Sequence, residues 1–140
     1  MPFRYLPDIA LADVAFEATS PSVSGLFEES AAALTEVMVD RRSLAGRISK
    51  TVLLDAEDSD RLLYNFLTEL IVMKDVDSFL CKQADVKVSG SGLSLHAALT
   101  GEKINRRKHR LRNDVKAVTM HMFGIKRVGR RWKVTVVLDI

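Results

Sequence analysis

Residues 57–75, EDSDRLLYNFLTELIVMKD, decide how this chain is to be read. The acidic run at 57–60 offers N-caps and places negative charge at a helix start, where the macrodipole favours it. Leu62, Leu63, Phe66, Leu67, Leu70 and Ile71 then recur at three- and four-residue steps as one wide apolar stripe. Strand patterns flank this helix. Ile48, Val52 and Leu54 mark one around 47–55, while 79–89 and 93–100 read as two strands joined by GSG at 90–92, a hairpin.

Further out, DVAFEA (13–18) alternates like a strand, and TSPS (19–22) supplies turn and cap residues before a second amphipathic helix over 22–39. Downstream, 114–123 and 131–139 read as another hairpin, with Gly124 and Gly129 near its turn. The order is strand, helix, strand, helix and then four strands. Strands gathered after the helices predict a single α+β domain, 1–140, with two helices packed on a mostly antiparallel sheet, rather than a doubly wound α/β fold.

At 140 residues and 47% apolar composition the chain can bury a core without staples, and its lone Cys81 precludes an intrachain disulfide. No secretory-type opening and no bilayer-length apolar run occur, so a soluble, cytoplasmic protein away from membranes is expected. The net charge of +3 hides an asymmetry: residues 1–100 hold nine Lys and Arg against fifteen Asp and Glu, whereas 101–140 hold twelve against three. Such a basic end suits phosphate or an acidic surface, unless folding simply mixes the two halves.

No P-loop, H-E-x-x-H or G-x-S-x-G is present, and His96, His109 and His121 are too scattered for a local zinc pair. His96 is expected to be structural and Cys81 a small buried hydrophobe. KINRRKHRLR (103–112) packs six cations into ten residues: Lys103, Arg106, Arg107, Lys108, Arg110 and Arg112. It reads as a long loop or strand margin, able to contact RNA or a partner but lacking aromatics for base stacking. In DVKAVTMHMF (114–123) a strand would send Val115, Ala117, Thr119 and His121 to one face and Lys116, Val118, Met120 and Met122 to the other. Lys116 within a sheet would need an anion, and the carboxylates ending the last strand are candidates.

VTVVLDI (134–140) closes the chain by setting Asp139 beside the carboxylate of Ile140. Adjacent hard oxygens suit Ca²⁺, Mg²⁺ or Mn²⁺ rather than zinc, and Asp13 on the early strand could supply a third group. A solvated terminus ending a strand is the plainer alternative.

Four segments together resemble the archease family, activators of RtcB-type tRNA-splicing ligases: ALADVAFEA (10–18), LLYNFLTELIVMKD (62–75), DVKAVTMHMF (114–123) and WKVTVVLDI (132–140). ALTGEKI (98–104) also resembles the family's Gly-Glu turn, and the similarity covers essentially the whole chain. The resemblance implies an α+β fold of strand-helix-strand-strand modules. It also implies a metal site, Ca²⁺ foremost, at Asp13, Asp139 and Ile140, and a functional lysine at Lys116. Archeases promote GTP-dependent guanylylation of the ligase in tRNA splicing and so allow its multiple turnover. By resemblance this protein would be an accessory factor without bond chemistry of its own, meeting RNA through the ligase. Three positions depart from the family: its His-Thr pair before the first strand is Ala10 and Leu11 here, and a tyrosine is Met120.

The alternatives are a basic RNA-binding module built on 103–112, a chaperone-like modulator of tRNA modification, and a metal-dependent hydrolase at Asp13 and Asp139. The last lacks an evident general base.

Overall fold

The computed structural model describes residues 2–6 and 13–140. Ala10 and Leu11, where the chain departs from the family's His-Thr pair, lie outside the described residues. Strands β1 (Phe3–Tyr5) and β2 (Val14–Ser20) precede helix α1 (Val23–Met38). Strand β3 (Ile48–Asp55) leads to helix α2 (Ser59–Asp77), followed by β4 (Phe79–Val88) and β5 (Ser94–Lys103). The chain closes with β6 (Ala117–Val118), β7 (Gly124–Val128) and β8 (Arg131–Asp139).

Among the described residues two sheets result, and every pairing in them is antiparallel. One runs β1-β2-β8 with β6 and β7 sharing the far edge of β8; the other runs β3-β5-β4. The expected α+β class holds, with the strands divided between two sheets. Both helices touch both sheets, so their apolar stripes and the inner sheet faces form one core. Phe27 of α1 and Phe66 of α2, each fully buried, stack with centroids 6.0 Å apart across the helix contact. Burying each ring contributes about 1.5–3 kcal/mol.

The helix starts follow their caps. The Ser22 hydroxyl accepts from the Gly25 N–H at 3.0 Å, and the Asp58 carboxylate accepts from the Arg61 N–H at 2.7 Å. These side chains satisfy amide groups that would otherwise lack partners at a first turn. Along β3, Ile48, Lys50, Val52 and Leu54 turn toward the core while Ser49, Thr51 and Leu53 stand exposed, the period-two pattern of a sheet with one wet face. No helix among the described residues is long and apolar enough to cross a membrane.

Three expectations change. The second hairpin is formed by β7 and β8, turning at Gly129 with φ 63°, because Gly124–Val128 is itself a strand. Residues 114–123 are largely irregular. Thr119 still donates to the Val137 carbonyl, but Gly124 already opposes Thr135, so the residues between loop out. Met122, at φ 58°, helps to turn that loop. The strict alternation fails accordingly, with Val115 and Val118 both buried and Ala117, Met120, His121 and Met122 exposed.

Second, Gly101 and Glu102 are not a turn. They lie within β5, with Gly101 opposite Cys81 beside a bulge in β4. Third, His96 is exposed on the outer face of the three-stranded sheet, whereas His109 is the buried histidine. Cys81 is buried as expected, and burial pushes its thiol up to about 12, which makes it inert.

Candidate metal and partner site

The core strand pair β2–β8 carries two carboxylates to one end of the larger sheet. Val14 opposes Leu138 in the register, so Asp13 and Asp139 are the next residues out on the two strands. The short β6 closes on the other side of β8, pairing Ala117 with Asp139, and the Lys116 N–H donates to the Asp139 carbonyl oxygen at 2.8 Å. Three segments distant in sequence thus bring Asp13, Lys116, Asp139 and Ile140 to one end of the sheet. Asp13 and Ile140 are half-buried, and Lys116 and Asp139 are exposed.

The lysine–carboxylate pairing is a backbone contact. Among the described residues no ion pair engages the Lys116 ammonium, and the residue is exposed. Also among the described residues, no group of three or more His, Cys, Asp or Glu stands close enough to hold a metal. Asp13, Asp139 and the carboxylate of Ile140 would make an oxygen-only, incomplete donor set for a metal. Its chemistry fits Ca²⁺, which takes 6–8 oxygens including water, or Mg²⁺, which keeps several waters; it does not fit a closed zinc site.

Lys74 positions this end without being part of it. Its place on α2 continues the apolar stripe through Leu67, Leu70 and Ile71, and its side chain is buried. The ammonium donates to the Asp114 carboxylate and, at 2.7 Å, to the Val115 carbonyl, pinning the two residues before Lys116. Burial pushes the Lys74 ammonium down, yet the hydrogen bonds it donates to Asp114 and Asp75 outweigh that and hold the group above the usual lysine range. A lysine on an apolar helical stripe was the sequence signal for this role.

The basic run is a separate structure, organised by Glu102. That buried carboxylate accepts from the Ala45 N–H at 2.7 Å and the Lys108 ammonium at 2.7 Å, and it meets His109 Nε2 at 2.9 Å. Lys108 is therefore committed to Glu102, and Arg112 to Glu36 at 3.3 Å. Arg106, Arg107 and Arg110 are exposed and make no ion pair among the described residues.

The Lys108 hydrogen bond first, then those from Ala45 and His109, lower the Glu102 carboxyl to about 2. A depressed carboxylate contributes stability that is complete above its unfolded pKa of about 4.3 and disappears as pH falls through the folded value. Thermal melts should show Glu102→Gln less stable than the native chain at pH 6, with the gap closing between pH 4 and pH 2. A gap independent of pH would show that the charge on Glu102 does not matter.

The fold is a small α+β domain that presents two carboxylates and a lysine at one sheet end. The comparisons give the family. The sequence pattern of the Archease protein family (MTH1598/TM1083) matches residues 3–140. The archease of Pyrococcus abyssi is 33% identical over 132 residues, 92% of this chain and 93% of that one. The archease of Methanothermobacter thermautotrophicus is 34% identical over 131 residues, again 92% and 93%. The solution structure of protein 1598 of Methanobacterium thermoautotrophicum superposes with a TM-score of 0.82 at 31% identity, covering 99% of each chain. A crystal structure of a Thermotoga maritima archease, described as a possible chaperone, shares the fold with a TM-score of 0.66 at 21% identity and 96% coverage of each. The chain belongs to the archease family.

Proposed function

We propose that this protein is an accessory activator of an RtcB-type RNA ligase in tRNA splicing and RNA repair. It promotes GTP-dependent guanylylation of the ligase and so its multiple turnover, and it makes and breaks no bond itself. The observation that carries the reading is the convergence of Asp13, Asp139 and Lys116 at one open end of the β2–β8–β6 sheet. An exposed end can enter a partner's site, whereas a catalyst needs its groups gathered in a pocket that excludes water.

Asp13, Asp139 and the carboxylate of Ile140 would hold a divalent cation, Ca²⁺ foremost, which supplies a fixed positive charge for phosphate oxygens. Lys116 places a second, mobile positive charge beside it. Asp139 couples the two, since its carbonyl oxygen holds the Lys116 backbone while its carboxylate serves the cation.

The test is ligation of RNA 3′-phosphate to 5′-hydroxyl ends by the cognate ligase with GTP, ligase limiting, with and without this protein. Product exceeding one equivalent of ligase only when the protein is present is the expected result. An active ligase that turns over equally without it would end the activator reading.

A further inference from the structure

We propose that the loop at 103–112, with Arg47, is a binding site for the phosphodiester backbone of a single nucleic-acid strand. The proposal stands apart from the activator reading, because it needs no ligase.

The loop is built, not merely charged. Besides Glu102, which ties down Lys108 and His109, Asn105 accepts from the Arg107 N–H through its side chain at 3.0 Å and from the His109 N–H through its carbonyl at 2.8 Å. The far arm is fastened to the end of α1: the Asp40 N–H donates to the Arg110 carbonyl at 2.9 Å, and the Arg112 N–H donates to the Met38 carbonyl at 2.8 Å. Four cations remain exposed without an ion pair among the described residues: Lys103, Arg106, Arg107 and Arg110. Like charges are held together here by a carboxylate whose own oxygens are already occupied.

Their placement suits a phosphate chain. Lys103, Arg106 and Arg107 line an open hollow of ≈ 650 Å³ with Arg47, whose bond to Glu102 is long at 3.8 Å. Ile48 and Ile104, both half-buried, also line that hollow, but none of the large exposed apolar residues does, and no aromatic does. Protein partners of such a face would need an apolar or aromatic anchor, whereas phosphates need only cations on a fixed frame. The lack of aromatics predicts indifference to base sequence. Arg106 also borders a second hollow of ≈ 330 Å³, where Lys74 and Arg112 are already paired with Asp75, Asp114 and Glu36, so the unpaired cations stay gathered at the first hollow.

The experiment is fluorescence anisotropy of the full chain alone, with labelled 20-nucleotide RNA and DNA strands of one mixed sequence across a salt series. With about four phosphates neutralised, log affinity should fall against log salt with a slope of about −2.8. Arg106→Glu with Arg107→Glu should weaken binding at least about tenfold and flatten that slope. Both side chains are exposed, so the variant keeps its fold. Charge reversal on the β7–β8 hairpin, Lys126→Glu with Arg130→Glu, should change affinity far less. Equal binding of RNA and DNA supports the backbone alone as ligand, and preference for RNA supports it while making RNA the source. The proposal is overturned by a salt-insensitive signal, by equal loss in the two charge-reversed variants, or by polyglutamate competing as well as unlabelled RNA.

Discussion

Asp139→Ala is expected to abolish stimulation of multiple-turnover ligation while shifting stability by no more than about 0.5 kcal/mol, as at exposed positions away from packed features. The two effects separate because Asp139 acts through different atoms. Its backbone carbonyl receives the Lys116 N–H and its neighbour Leu138 fills the core, and alanine preserves both. The exposed carboxylate alone is lost, which under the proposed function would leave Asp13 and the carboxylate of Ile140 to hold the cation. Hard-cation affinity follows the number and charge of oxygen ligands, so Ca²⁺ binding by calorimetry should weaken at least about tenfold. Appending residues after Ile140 should weaken it similarly by removing the terminal carboxylate. Lys116→Ala should also lose stimulation, but with Ca²⁺ affinity kept. If Asp139→Ala stimulates like the native protein, the carboxylate end is not the working part.

Gly101→Ala should be the most damaging single methyl group in the chain, lowering the unfolding free energy by about 3–5 kcal/mol in urea titrations. A Cβ at this position would lie 2.0 Å from the Leu80 carbonyl oxygen and 2.9 Å from the Phe79 ring. The nearest obstacle is backbone and cannot swing aside, so β4 and β5 must separate beside the bulge at Cys81. Glu102 follows directly in the chain. Its displacement should loosen the basic loop, and nucleic-acid affinity should fall although no cation has changed. A loss below about 1 kcal/mol would mean that the ladder relaxes freely here.

Much of this architecture was legible in the residues because local pattern and final environment agree. The stripe from Leu62 to Ile71 is the buried face of α2, the segment with GSG joins β4 to β5, and the alternation in DVAFEA becomes β2. Legibility failed where a segment's environment is set by something distant. Residues 114–123 alternate like a strand, yet β7 takes the partner positions on β8 that a continuous strand would have used. Lys103 to Arg112 reads as six equivalent cations. Only the fold reveals that Glu102 and Glu36 engage two of them and leave the others without an ion pair among the described residues.

The sequence by itself therefore determined the α+β class, the two helices and their caps, and which residue types could hold a hard cation or a phosphate. Those properties depend on periodicity and on side-chain chemistry, which neighbours in the chain already express. The tertiary structure alone decided that Asp13 and Asp139 stand one residue beyond the Val14–Leu138 pair, that the Lys116 backbone bonds to Asp139, and that Lys74 secures Asp114 and Val115. Those placements relate residues as far apart as positions 13 and 139, and only strand register, set by burying one face of each strand, can bring them to one sheet end.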